Sequence, residues 1–220
     1  MKKILALSLF LGFLLPMSSF AQMALLRDNG TGMPITADPF LGVKGSPYFD
    51  EFKKGIIYLA TGQKVEGLSI ALNAYSNTLE YKLEGKLFAY TPEKVTGFSY
   101  SPEAGGNEYT SAYVVPTLKT KRFLKILEKG TYTLLYHGYK TMTDDPSATY
   151  GAQASKVFQD QEEFFVVMNE KVMLMKNKEK DLQQIFGADA PKATAFIKSE
   201  RIDFKKSEEL KTLIRHMNQN

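Results

Sequence analysis

The sequence predicts an α+β protein that is mainly antiparallel β, with about three short helices at its C-terminal end. All 12 tyrosines of the 220-residue chain lie between Tyr48 and Tyr150. Gly187 is the single glycine after Gly151. Tyrosine and glycine are typical of strands and of the turns between them, whereas Lys, Glu, Gln and Ala, frequent in the last segment, favour helices.

Period-two alternation of apolar and polar residues marks the strands. Leu79, Tyr81 and Leu83 alternate with polar neighbours, and Ser76 and Asn77 separate this run from an earlier alternating run, which predicts a tight hairpin. Further strands are predicted at residues 55–59, 86–90, 96–100, 109–115, 131–139, 163–168 and 172–176. Residues 122–128 also fit helical spacing, but the turn at Lys129 and Gly130 favours a strand there. Short strands without intervening helices favour antiparallel pairing, in a meander, a sandwich or a partly closed barrel.

Three short helices are predicted after residue 176. Gly187 ends the first, and Pro191 lies in the first turn of the second. The third places its apolar residues at the spacing of one helix face: Leu210, Leu213, Ile214 and Met217. Helices of this length are marginal alone, so we expect them to pack on the β-rich part.

Residues 1–21 have the pattern of a secretory signal peptide. Lys2 and Lys3 form a charged start, an apolar run follows, and the last three residues, Ser-Phe-Ala, are typical of a cleavage site. The apolar run is shorter than a membrane-spanning helix. We therefore expect a mature chain that leaves the cytoplasm of a Gram-negative bacterium for the periplasm or the medium.

The pattern predicts four regions along the chain. The signal peptide at residues 1–21 is followed by a flexible or extended lead-in at residues 22–44, which is rich in turn residues and lacks periodicity. Residues 45–176 are expected to form the antiparallel β-rich domain. Residues 177–220 are expected to form the helical appendage packed on it.

Composition excludes several classes of partner and chemistry. The chain has no cysteine, which excludes disulfides, thiol nucleophiles and cysteine-ligated metals. Its 28 Lys and Arg against 24 Asp and Glu form no clustered basic patch, so nucleic acid is not expected as a partner. After the signal no apolar stretch reaches the ~18 residues of a membrane span, so no span is expected in the mature chain.

No metal or cofactor site is predicted. The two histidines, His137 and His216, are too few for a typical histidine-ligated metal site. Glu162 and Glu163 are adjacent on a predicted strand and leave opposite faces, so they are a poor acid–base pair. No glycine-rich phosphate loop with the required lysine is present.

Tyrosine is the one positive compositional hint of a binding surface. Exposed tyrosines on a sheet can stack against sugars, peptides or other planar groups, although half-buried strands also favour tyrosine for packing alone. Tyr136, Tyr139 and Tyr150 flank a loop predicted at residues 140–149, and His137 shares a strand face with Tyr139. These four residues are the first candidates for a binding site.

Two segments carry a resemblance to known proteins: GSPYFDEFKKG at residues 45–55 and LNAYSNTLEYK at residues 72–82. With the tail at residues 185–218, they resemble a group of secreted proteins common in Bacteroidetes-type bacteria, for which no activity is established. That group has a Gly-Ser-Pro-Tyr start and an Asn-x-Tyr-x-(Asn/Asp)-x-x-Glu strand pair. Ala71 and Leu72 depart from it, because a bulkier, basic pair is expected there. The resemblance implies export and a β-rich architecture.

These observations favour an exported, non-catalytic protein that binds to, or is a structural part of, the cell envelope. Its partners would be envelope proteins or polymers, or further copies of the chain. The alternative is a hydrolase of envelope or environmental polymers, whose carboxylates converge only in the fold. Two inward carboxylates about 5–9.5 Å apart in a cleft would favour the hydrolase.

Overall fold

Most of the chain forms one large antiparallel sheet. The structure is a computed structural model that describes residues 32–35, 40–104, 106–147 and 156–219. The strands are β1 (Met33–Pro34), β2 (Val43–Lys44), β3 (Lys53–Leu59), β4 (Lys64–Asn73), β5 (Thr78–Leu83), β6 (Lys86–Tyr90), β7 (Val95–Tyr100), β8 (Glu108–Thr110), β9 (Val114–Val115), β10 (Thr120–Lys121), β11 (Leu124–Glu128), β12 (Thr133–Asp144), β13 (Lys156–Met168) and β14 (Lys171–Leu174). Twelve of them join in the order β1-β6-β5-β4-β3-β7-β8-β11-β12-β13-β14, with β2 beside β13, and β9 pairs with β10.

The sheet is open. Two runs of consecutive strands, β3 to β6 and β11 to β14, each form a meander, and β7 and β8 join them. The sequence left a meander, a sandwich and a partly closed barrel open. The described residues form two meanders joined in one large open sheet, and not a closed barrel. The terminal strands β1 and β14 pair with β6 and β13 and not with each other, which leaves the sheet open.

The sheet nevertheless bends far enough to bring distant strands together. The backbone N–H of Lys140 in β12 donates to the carbonyl of Ala74, just after β4, at 3.1 Å. Four strands separate β4 from β12 in the order of the sheet. This contact places the tip of the β4–β5 hairpin beside β12, beyond the end of the short strand β11.

The longest hairpin, β12–β13, extends further than the sequence predicts. Its register pairs Thr133 with Val167 at one end and Asp144 with Lys156 at the other. The strand predicted at residues 131–139 thus continues to Asp144, into the segment predicted as a loop. The sequence does not predict this second half, because its residues do not alternate between apolar and polar. Polar cross-strand pairs stabilise it instead, such as Lys140 Nζ with Asp160 Oδ1 at 2.7 Å.

The C-terminal helices are α1 (Glu179–Phe186), α2 (Ala190–Glu200) and α3 (Ser207–Gln219). The prediction of about three short helices needs correction, because α1 and α2 run on as one helical stretch and α3 is the second, in one C-terminal group. Gly187 has a positive φ of 54° and ends α1 as predicted, but a 3-10 turn, Gly187–Asp189, leads directly into α2. No linker separates these two helices.

The apolar faces of the helices pack on strands of the β11–β14 meander. The four α3 residues predicted to share a face, Leu210, Leu213, Ile214 and Met217, are all buried. They share a core with Leu134 of β12 and Phe164 of β13. None of the helices in the described residues has the length and apolar character that a membrane crossing requires.

Two further cores lie on the sheet. Leu135 and Phe165 are fully buried on the face opposite Leu134, in a core that includes Val115 of β9. A separate core among the strands β3 to β7 contains mostly aliphatic and aromatic residues, including Ile57, Tyr81 and Phe98. Consecutive buried residues in β5, β7 and the first half of β12 show that these strands are more fully buried than a half-buried pattern predicts.

The substitution Leu213→Ala should destabilise the whole protein. Leu213 is fully buried between helix and sheet, and truncation of a buried leucine costs about 2–5 kcal/mol. The free energy of unfolding, measured by urea denaturation, tests this. Leu118→Ala is the matched control, because Leu118 is 43 % exposed and its loss should change stability by less than about 0.5 kcal/mol. Equal effects of the two variants would contradict the packing described.

Candidate binding site

The residues that the sequence singled out do not share one surface. Tyr136 lies on the helix-covered face of β12, where its ring centroid is 5.3 Å from that of Phe164. His137 and Tyr139 lie on the opposite face, and their rings stack at 4.8 Å between centroids. Tyr150 lies outside the described residues.

His137 is a buried, neutral side chain. It is 2 % exposed, and its Nδ1 atom lies 3.5 Å from Glu163 Oε2 without a hydrogen bond to any described residue. Burial, and secondarily the charge of Arg122, lowers the pKa of His137 from 6.5 to about 4. Burial also raises the pKa of the Glu163 carboxyl, against the opposing effect of Lys176. The pair is therefore not a charged ion pair at neutral pH.

Metal coordination finds no support in the described part of the chain. Within it, no three His, Asp or Glu side chains come together in a way that could hold a metal ion.

A cavity of about 670 Å³ lies instead at the loop that precedes β3. We call it the loop cavity. It is lined by Ser46, Tyr48, Phe49, Asp50, Glu51 and Phe52 of the loop, and by Ser69 of β4 and Lys82 of β5. Most of these residues belong to the two segments that carry the resemblance to secreted proteins.

A buried carboxylate holds the loop on the sheet. Glu80 is 2 % exposed, and its Oε2 accepts a hydrogen bond from the Tyr48 hydroxyl at 2.5 Å. Its Oε1 accepts a second from Asn73 Nδ2 at 2.8 Å. The backbone N–H of Ala74 donates to the carbonyl of Pro47 at 2.8 Å, which adds a main-chain link. Because a buried carboxylate is costly without partners, these donors fix the position of the loop.

Two lysines hold the phenylalanine rings of the loop. Lys140 Nζ lies 4.6 Å from the ring centroid of Phe49, and Lys82 Nζ lies 4.5 Å from that of Phe52. Cation–π contacts at such distances are attractive. Both rings are thus positioned before any ligand binds.

Gly138 lets the loop approach β12 closely. A Cβ atom at this position would lie 2.7 Å from Tyr136 Cε1 and 3.1 Å from Phe49 Cε2. A Cβ atom there would force the Tyr136 ring to shift and would press on the ring of Phe49, so the absence of a side chain lets the two rings lie near each other. The strand glycine therefore has a packing role.

The cavity combines ring surfaces with polar groups. Asp50 Oδ1 accepts a hydrogen bond from Lys53 Nζ at 2.9 Å, and Glu51 supplies a second carboxylate. Ser46 and Ser69 add hydroxyls. Such a lining suits a ligand that has both apolar C–H surfaces and several hydroxyl groups.

Sequence reasoning missed this site, although one signal was present. The run Tyr-Phe-Asp-Glu-Phe at residues 48–52 places two acidic side chains between aromatic ones, just after the turn residues at positions 45–47. Its position over Lys82 could not be derived from the sequence, because the pairing of Tyr48 with Glu80 joins residues 32 positions apart.

No protein-family model matches the chain, and neither a curated protein nor a solved structure does. Function is therefore inferred from the cavity itself.

A double-mutant cycle tests the link between loop and sheet. Tyr48→Phe and Glu80→Gln should show a coupling energy of about 1.5–3 kcal/mol, since hydrogen bonds to buried charged groups contribute in this range. Urea denaturation gives the four stabilities. The control cycle uses the exposed pair Lys156 and Asp144, 2.9 Å apart, where about 0–1 kcal/mol is expected. A Tyr48–Glu80 coupling no larger than that of the control would refute the link.

The low pKa of His137 should make stability depend on pH. The unfolded chain protonates this group near pH 6.5 and the folded chain only near pH 4. The buried histidine therefore does not reduce the free energy of unfolding above about pH 6.5. As the pH is lowered from 6.5 to 4, it reduces this free energy by roughly 3 kcal/mol. Glu163, whose pKa is raised, acts in the opposite direction.

The difference between the wild type and His137→Phe isolates the histidine, because phenylalanine can keep the ring stack and does not titrate. As the pH is lowered from 7 to 4, the free energy of unfolding should fall less steeply in this variant than in the wild type. His216→Gln, which retains His137, should follow the wild type. Parallel curves for the wild type and His137→Phe would show that the histidine is not responsible.

Proposed function

We propose that the protein is an exported, non-catalytic binding component of the cell envelope and that its loop cavity binds polysaccharide. The observation that carries this proposal is the lining of the loop cavity, to which three aromatic residues and two acidic residues contribute and whose volume is about 670 Å³. Pockets of about 300–1,000 Å³ are typical of small-ligand sites. The signal-peptide pattern at residues 1–21 supports export.

A sugar fits this lining for two physical reasons. The C–H face of a pyranose ring is apolar and can cover an aromatic ring, and Phe49 offers such a ring with 42 % of its surface exposed. The hydroxyls of the same sugar can donate to carboxylates such as Glu51. The rings are already fixed by Lys140 and Lys82, so binding requires little ordering of side chains.

An extended peptide fits the cavity less well. Peptides often bind as an additional strand at the free edge of a sheet. The strands beside the cavity, β4 and β5, are interior: β4 pairs with β3 and β5, and β5 pairs with β4 and β6. Their backbone groups are used in the sheet, so side-chain recognition of a polymer of rings is favoured.

Phe52→Ala should weaken binding about tenfold or more, because a lost stacking contact of about 1.4 kcal/mol corresponds to a factor of ten. The measurement is isothermal titration calorimetry with soluble envelope polysaccharides, chosen after screening the wild type on a glycan array. Tyr58→Ala is the control, since Tyr58 is an exposed aromatic residue outside the cavity. The proposal fails if the wild type binds no glycan or if both variants bind as the wild type does.

The alternative of a hydrolase has one specific observation in its favour: the carboxylates of Asp50 and Glu51 line the same cavity. A glycosidase needs one carboxyl group as general acid and another as base or nucleophile. Release of reducing ends from a bound polysaccharide, abolished in Glu51→Gln, would establish hydrolysis. Binding without such release supports the non-catalytic function.

A further inference from the structure

A second, smaller cavity of about 270 Å³ lies where α3 begins, against the strands β11, β12 and β13. We call it the seam cavity, because it lies between the sheet and the helices. It is lined by Lys125, Leu127, Tyr136, Glu162, Lys205 and Ser207.

The two lysines of the seam cavity lack an anionic partner. Among the described residues, neither Lys125 Nζ nor Lys205 Nζ forms an ion pair or a side-chain hydrogen bond. Lys125 is half-buried, and this burial lowers its pKa. The charges of Asp50 and Glu208 act against burial, whereas those of Lys211 and Lys53 act with it. A half-buried ammonium group without a counter-ion is unfavourable, and an anion in the cavity would relieve that cost.

The remaining lining residues are compatible with an anion. Glu162 is the one carboxylate among the six, and it is exposed to solvent and hydrogen-bonded to the hydroxyl of Tyr136. Burial and the charge of Glu162 raise the pKa of Tyr136, which keeps its hydroxyl protonated at neutral pH. Two lysines and one glutamate leave a net positive lining, with the hydroxyl of Ser207 as an additional donor.

The seam cavity lies beside the loop cavity. Tyr136 lines the seam cavity and Phe49 lines the loop cavity, and both rings come close to the same point at Gly138. The charge of Asp50, a residue of the loop cavity, also acts to raise the pKa of Lys125. A polymer that binds in one cavity is therefore placed to reach the other.

We infer that the seam cavity binds an anionic substituent, a carboxylate or a sulfate ester, of the polysaccharide that occupies the loop cavity. This inference rests on the proposed function and narrows its ligand to acidic polysaccharides. Lys125 and Lys205 supply the positive charge, and Ser207 supplies a hydroxyl donor. The aromatic rings of the loop cavity hold the sugar, whereas the lysines select for its charge.

Sulfate tests the seam cavity without any sugar. In the purified full chain, amide NMR signals of residues around Lys125 and Ser207 should shift with sulfate and saturate. In Lys125→Met, which keeps the apolar stem and removes the charge, the apparent affinity should fall at least tenfold. Lys129→Met is the control, because Lys129 is exposed and paired with Glu108 outside the cavity. The absence of saturable shifts in the wild type, or their persistence in Lys125→Met, would overturn the anion site.

Oligosaccharides test the selectivity. The probes are a hexamer of galacturonic acid and its carboxyl-reduced, neutral form. The wild type should bind the acidic hexamer at least tenfold more tightly at low salt, and Lys125→Met should bind the two alike. Phe52→Ala should weaken both equally. Equal binding of the two hexamers by the wild type, or binding of neither, would overturn this inference alone. The proposed function fails separately, if the wild type binds no glycan of the array.

Discussion

The β12–β13 hairpin is buried on both faces over its first half, and the rest of the structure is arranged around that constraint. Leu134 and Leu135 are neighbours in β12, and both are fully buried, in different cores. Successive side chains of a strand leave opposite faces, so such a hairpin needs a covering layer on each side. The C-terminal helices form one layer, and the segment around Val115 contributes to the other.

The same hairpin positions the candidate binding site. Beyond the end of β11, the edge of β12 is free to contact the tip of the β4–β5 hairpin through Lys140 and Ala74. Tyr75 of that tip packs edge-to-face on Phe158 of β13, with 5.4 Å between ring centroids. The loop that carries Phe49 then lies over Gly138. The loop cavity therefore depends on the length of β12 as much as on the residues that line it.

Glu80 shows how a polar core residue can support a binding surface. Its carboxylate is nearly inaccessible, yet its hydrogen bonds with Tyr48 and Asn73 keep it compatible with burial. Asn73 also accepts hydrogen bonds from the backbone N–H groups of Tyr75 and Ser76, which shapes the hairpin turn. One network thus fixes the turn of the hairpin and the aromatic loop together, so neither can move without the other.

Local pattern by itself determined the fold class, most strand positions and the apolar face of α3. These follow from side-chain period and turn chemistry, which act over a few residues. Only the tertiary structure decided the open sheet, the continuation of β12 to Asp144 and the direct passage from α1 into α2. Polar cross-strand pairs and helix packing determine these features, and neither produces a regular spacing of apolar residues in the sequence. The binding site, too, was decided by the tertiary structure. Tyr136 and His137 are neighbours in sequence but lie on opposite faces of β12, whereas Tyr48 and Glu80 are 32 residues apart and share a hydrogen bond. Contacts between residues distant in sequence depend on how the sheet bends, and no local period encodes that bend.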